Sequence, residues 1–323
     1  MVCSNVHETK LQQLIQTGDR LFDLGKFETA LKTFQEALEI ALTDEQILKI
    51  FNRIGLVYRR LGNYNFALKY LKLALHIAKE VGNQYQVLMI LNDIGETHSL
   101  SIEYSIALRY YAKALEISQN SSNLVGMGIT LNHLGEIYNL LGLFDQSLNC
   151  CQKSMDIFYK VERKSVLDKL TAQINIALAL HSIGEAYLWL GQDTQAREIL
   201  ELTLAIRHKI CKVIFKHFSK IPNDLDKNIL HKAWFNSKKS PQKLPIIQQE
   251  DIDFTQSIIS QHGADLANTM NLIEKVYHNL GQWKKADECR QQKIKILENC
   301  SDKSLVYNVY ILPFYLRFNY HHN

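Results

Sequence analysis

Between Phe51 and Leu75 the apolar positions fall in two helical stripes with a break between them. Phe51, Ile54, Gly55 and Tyr58 stand at i, i+3, i+4 and i+7, one face of an α-helix. Gly62 interrupts the pattern, and Ala67, Leu71, Ala74 and Leu75 begin it again. The spacing predicts two short helices joined by a tight turn, each too small to bury its apolar stripe alone. Gly55 and Ala67 leave room for the backbones to approach, and Tyr58 and Tyr64 fill the space near the turn. Such a hairpin is stable only when stacked on others of its kind.

The same frame runs through most of the chain. The slot of Gly55 is taken by Gly18, Gly95, Gly135 and Gly184, at successive spacings of 37, 40, 40 and 49 residues. The turn slot of Gly62 returns as Gly25, Ile102, Gly142, Gly191 and Gly281, and that of Ala67 as Ala30, Ala107, Ser147, Ala196 and Ala286. In a sixth copy Glu274 stands where the first glycine belongs. Thr43-Asp44, Gly82-Asn83 and Ser121-Ser122-Asn123 supply cap and stop residues between copies.

A large apolar residue, Leu/Ile-Gly, Tyr, Gly, an aromatic, Ala and Ala-Leu in this order resemble the tetratricopeptide repeat. The 40-residue spacing is similar to that of kinesin light chain and of bacterial multi-repeat proteins. The resemblance implies an all-α, right-handed superhelical solenoid of about six hairpins with one insertion and a concave ligand groove. It divides the chain into five hairpins over 10–205, a basic insertion over 206–264, a sixth hairpin over 265–298 and an aromatic tail over 299–323. Ala205 to Lys220 reads as a continuation of the fifth hairpin's second helix, and Leu225–Phe235 and Ile252–His262 as further helices. Leu305 to Phe318 is aromatic and β-branched, and is expected to cover the last hairpin or, alternatively, to meet a membrane or a partner.

Composition narrows the class. With 46% apolar residues and only four prolines, 323 residues suffice for a sizeable helical core. The sequence contains no stretch long and apolar enough for a membrane span, and its beginning lacks the pattern of a secretory signal. Six cysteines without a CxxC pair point to buried thiols in a cytoplasmic protein. Net charge is +4, yet ten Lys/Arg against two Asp between Arg207 and Lys243 leave the remainder at −4. That segment reads first as a solvated basic helix face and loop, with nucleic acid as the alternative partner.

Three residues before the glycine slot stand Asn52, Asn92, Asn132, His181 and Asn271; one residue after it stand Glu96, Glu136 and Glu185. Members of each Asn–Glu pair are four apart and share a helix face. An amide offers a donor and an acceptor, which suits the backbone of an extended peptide whatever its side chains. Resemblance to kinesin-light-chain repeats implies that role for Asn52, Asn92, Asn132 and Asn271, with His181 and Asn139 completing the groove. The alternative is that the amides bridge neighbouring helices inside the array. The Glu row favours a basic ligand in the middle of the groove, whereas Arg59, with Lys49, Arg53 and Arg60, favours an acidic one at the N-terminal end. Asp93, Ile129 and His133 stand where a co-chaperone-type carboxylate clamp needs amides and cations, so that clamp is absent.

Catalytic patterns are missing: no HExxH, no Cys/His zinc spacing, no phosphate loop and no G-x-S-x-G. No cofactor is expected. The sequence predicts a non-enzymatic protein-interaction scaffold or adaptor that holds an extended peptide or helix. The alternative is a bacterial regulatory repeat protein sensing a signalling peptide or response regulator, or a partner of a separate effector enzyme.

Overall fold

A computed structural model describes residues 2–161, 166–218 and 265–298. All of these residues lie in helices or in the short connections between them. The helices are α1 (Val2–Asp23), α2 (Phe27–Glu39), α3 (Asp44–Arg60), α4 (Tyr64–Glu80), α5 (Gln84–Leu100) and α6 (Tyr104–Asn120). They continue with α7 (Leu124–Leu140), α8 (Phe144–Val161), α9 (Val166–Trp189) and α10 (Asp193–Phe218). A helix over 265–279, here α11, and α12 (Trp283–Glu298) complete the set. The first helix begins well before the expected residue 10. The expected helices at Leu225–Phe235 and Ile252–His262, most of the basic insertion and the aromatic tail lie outside the described residues. The fold is an all-α repeat solenoid.

The turns obey the glycine frame. Gly25, Gly62, Gly142, Gly191 and Gly281 all have φ near +70°, the left-handed region that disfavours a Cβ. Ile102 holds φ +64° in the same slot. There the turn is braced by His98 Nδ1 and Glu103 Oε2 at 2.6 Å, and by Ser101 Oγ donating to Glu103 Oε2 at 3.1 Å. The helix starts also follow the sequence. Thr43 and Gln46 form a reciprocal capping box on α3, and the Asn83 and Asn123 side chains accept from the backbone N–H of Gln86 and Gly126.

The first glycine of each copy is a packing residue. A Cβ on Gly95 would lie 2.6 Å from the Tyr111 ring, and one on Gly55 would lie 2.7 Å from Leu71. Gly18 faces Phe34, Gly135 faces Cys151 and Gly184 faces Leu200 in the same way. Each glycine thus lets the second helix of its own hairpin lay a large side chain against the first.

The chain divides into two compact units, Met1–Asn175 and Ile176–Asn323, with the division inside α9. In the first unit, α1/α2, α3/α4, α5/α6 and α7/α8 form hairpins, and each second helix also packs on the next first helix. First helices also meet their successors (α1–α3, α3–α5 and α5–α7), and no comparable packing joins successive second helices. The array therefore bends with its first helices inside. Its core is Phe34, Ile50, Ile54, Leu71, Leu88, Ile90, Ile94 and Tyr111, all fully buried or nearly so.

In the second unit, Ala196 and Leu200 of α10 share a core with Leu272, Ile273, Val276 and Tyr277 of α11 and Ala286 of α12. Tyr277 donates to Glu201 at 2.6 Å and Asn279 Nδ2 to Asp193 at 2.8 Å. The sixth copy thus packs on the fifth, although residues 219–264 separate them in sequence.

Candidate functional site

The inner face of the first unit is built from α3, α5 and α7. Along it the amides stand one repeat apart, but they are not open to solvent as the groove reading expected. Asn92 is 3% exposed and Asn132 8% exposed, while Asn52 is half-buried. Asn132 Nδ2 donates to Asn175 O at 3.0 Å, and Asn92 Oδ1 lies 3.1 Å from Thr130 Oγ1. Each of these two amides therefore ties its helix to the next first helix, as the bridging alternative anticipated.

Only half of each amide is used in this way. Asn52 Oδ1, Asn92 Nδ2 and Asn132 Oδ1 are buried without a hydrogen-bond partner among the described residues, a state that costs about 1–3 kcal/mol per group. Thr130 fixes the polarity at Asn92. Its hydroxyl is 2.9 Å from Gly126 O and 3.1 Å from Asn92 Oδ1, but it carries one proton. Given to the nearer carbonyl, that proton leaves the threonine oxygen as an acceptor. The Asn92 amide is then assigned with Nδ2 toward Thr130 and Oδ1 left over. On that assignment all three asparagines leave an oxygen, not an N–H, without a donor.

The charged residues behave differently from the sequence expectation. Arg59 does not offer its charge to an acidic ligand. Its side chain is 13% exposed, and Nη1 lies 3.2 Å from Asp93 Oδ1, 3.2 Å from Asp93 O and 3.0 Å from Glu96 Oε2. Arg53 is likewise paired with Asp19 at 2.7 Å. Arg53 and Arg59 of α3 are thus held by carboxylates on α1 and α5.

Burial pushes the Asp93 carboxyl up to about 6 against the pull of Arg59, with Glu96 adding to the push. Burial also acts to raise Glu96, but Arg59, His133 and Arg60 outweigh it and hold that carboxyl low. His133 stacks on Tyr111 with ring centroids 5.2 Å apart, and burial together with Arg59 lowers its pKa. Glu136 is exposed on α7, and Asn139 is buried near the end of that helix. Asp93, Thr130, Tyr111 and Asn175 were not picked out as site residues from the sequence. Spacing from the asparagines, one residue or about one repeat, hints at Asp93, Thr130 and Asn175, whereas Tyr111 stands forty residues after Leu71 in the same core slot.

The candidates of the second unit are also engaged. His181 Nδ1 lies 3.3 Å from Thr269 Oγ1, and burial together with Arg207 drives its pKa down to about 3, so the ring is neutral at physiological pH. Asn271 Oδ1 accepts from Lys293 Nζ at 3.2 Å, and Glu185 is half-buried on α9. Among the described residues, no cluster of three His, Cys, Asp or Glu side chains is arranged to hold a metal ion. No described helix is long and apolar enough to cross a membrane. Cys150 and Cys289 are free thiols.

Comparison with known proteins agrees with the geometry. The tetratricopeptide repeat family matches residues 46–120 and again 176–217, within α3–α6 and α9–α10. A search of curated proteins returns no match. Among solved structures, NprR in complex with its cognate peptide NprX aligns at a TM-score of 0.60 and 14% identity, covering 98% of this chain and 74% of that one. Aspartyl phosphate phosphatase F from Bacillus subtilis aligns at 0.57 and 17% identity, over 90% of this chain and 71% of that one. A Rap protein complexed with competence and sporulation factor aligns at 0.56 and 14% identity, over 90% and 76%. At these identities the likeness bears on the fold. Two family matches, each lying on hairpins with the glycine frame, show tetratricopeptide repeats in this chain over residues 46–120 and 176–217.

Proposed function

We propose that the protein is a non-catalytic, cytoplasmic interaction scaffold that takes an extended peptide along α3, α5 and α7. One observation carries the reading. Three amides in successive repeats lie on the inner side, each with a buried polar atom that no described residue satisfies. A guest backbone supplies hydrogen-bonding groups at regular intervals, and adjacent helices 8–10 Å apart correspond to roughly three residues of extended chain. Peptide complexes of two proteins with this fold support the reading. They also keep a second one in view, in which the peptide is a signal and the scaffold regulates a separate protein.

Asn92→Ala is the clean test, because Thr130 keeps Gly126 O as its acceptor and no new buried group is stranded. Short linear peptides selected by display against the full chain should bind Asn92→Ala about tenfold more weakly, one hydrogen bond's worth. They should also protect α5 and α7 from hydrogen exchange. Equal affinity for the variant, with protection confined to the second helices, would refute the proposal.

A further inference from the structure

Helices α5 and α7 carry Asp93, Glu96 and Glu136 and not one Lys or Arg. The guanidinium that reaches two of these carboxylates belongs to α3. Arg59 Nη1 has two N–H bonds to share among Asp93 Oδ1, Asp93 O and Glu96 Oε2. Oε1 of Glu96 makes no hydrogen bond among the described residues, and the Glu96 side chain is 39% exposed. One turn earlier on the same face is Asn92, and Asn132 stands in the same relation to Glu136. Both asparagines are more than nine-tenths buried, and each has an amide atom without a partner. With the Asn92 assignment fixed by Thr130, both leftover atoms are oxygens. The surface between α5 and α7 is therefore short of donors and rich in acceptors.

We infer that this surface takes a Lys or Arg side chain of the bound peptide, which donates to Glu96 and to the Asn92 or Asn132 oxygen together. The inference rests on the peptide reading above and adds the chemistry of the guest. Lysine and arginine are the side chains with several N–H donors and no acceptor, so neither brings a new unsatisfied oxygen. An arginine fork spans two acceptors at once. An acidic guest would place a third charge beside Asp93 and Glu96, and a neutral amide would bring an oxygen of its own to a place lacking donors.

The test uses random short linear peptides displayed against the full chain. Selected peptides should share one Lys or Arg position. Replacing it by norleucine or citrulline should cost about tenfold in affinity, and that loss should vanish in Glu96→Gln and Glu136→Gln together. Glu136 makes none of the contacts of Arg59, so Glu136→Gln alone controls for a loosened α3–α5 junction. Selected peptides with no basic position, or a basic position equally important against both proteins, would overturn the inference. If those peptides still weaken with Asn92→Ala, the scaffold reading survives without it. Failure to select any peptide would overturn both.

Discussion

Hairpins α5–α6 and α11–α12 meet the same steric demand with opposite chemistry. In the first, Gly95 gives way to Tyr111, whose ring lies 2.6 Å from where a Cβ would be and which is 1% exposed. In the second, Glu274 occupies the glycine slot, and Arg290 occupies the slot of Tyr111, sixteen residues on in both (95 to 111, 274 to 290). Their side chains meet at 2.8 Å, with Lys293 Nζ also 2.8 Å from the same carboxyl. The Arg290 side chain is 47% exposed, so its charge stays in water, where an ion pair costs little to form and contributes little. The close approach is demanded by the hairpin; whether it is apolar or ionic is set by access to water.

Several substitutions would break or sharpen that contrast. Arg59→Ala should have the largest effect, because it strands two carboxylates between α3 and α5; a loss of roughly 3 kcal/mol in denaturant unfolding is expected. Gly95→Val drives a branched side chain into the Tyr111 ring and should cost about 2 kcal/mol. Glu274→Ala creates no clash but takes from the buried Lys293 ammonium the carboxylate that holds it at 2.8 Å; a loss of about 1–2 kcal/mol is expected. Tryptophan fluorescence isolates the second unit in these experiments, since all three tryptophans follow Asn175. Ile102→Gly should stabilise by about 0.5–1 kcal/mol, because it relieves a left-handed φ at a side chain that is 54% exposed.

The response to pH differs in sign between the units. Asp93 has a folded-state pKa of about 6 against an ordinary 3.8. Its contribution to stability is full below 3.8 and is lost as the pH rises through about 6. Glu274 is held low by Lys293 and Arg290, which outweigh its burial. Its contribution is present above the ordinary value of 4.5 and is lost as the pH falls through its lowered one. Between about 6 and 4.5, acidification should therefore strengthen the first unit through Asp93, with the lowered His133 opposing it, and weaken the second, where His181 stays neutral in the fold down to about 3 but takes a proton from its ordinary 6.5 once unfolded. The Asp93 share of the first unit's slope should be lost in Asp93→Asn, followed by circular dichroism alongside tryptophan emission.

The hairpins were legible in the sequence because glycine, alanine and apolar stripes encode helix period and close approach within about 34 neighbouring residues. Even Ile102, the non-glycine in a turn slot, was placed correctly by its frame. The site was less legible. Asn92 and Asn132 were found from spacing, but their burial depends on Thr130 and Asn175, partners one repeat further on. Arg59 looked like a cation waiting for a ligand because its claimants, Asp93 and Glu96, are 34 and 37 residues away. A single helix shows which face a residue occupies; only the stacked array shows what already occupies the space opposite.

The glycine-to-second-helix fit closes within each module, while the ion pairs and amide bonds of the inner side run from one module to the next. Copying or deleting a whole forty-residue block therefore leaves every internal fit intact and changes only the joints. Such a protein is free to lengthen or shorten in evolution by block, with its ligand preference rewritten at a few seams while the building unit stays as it is.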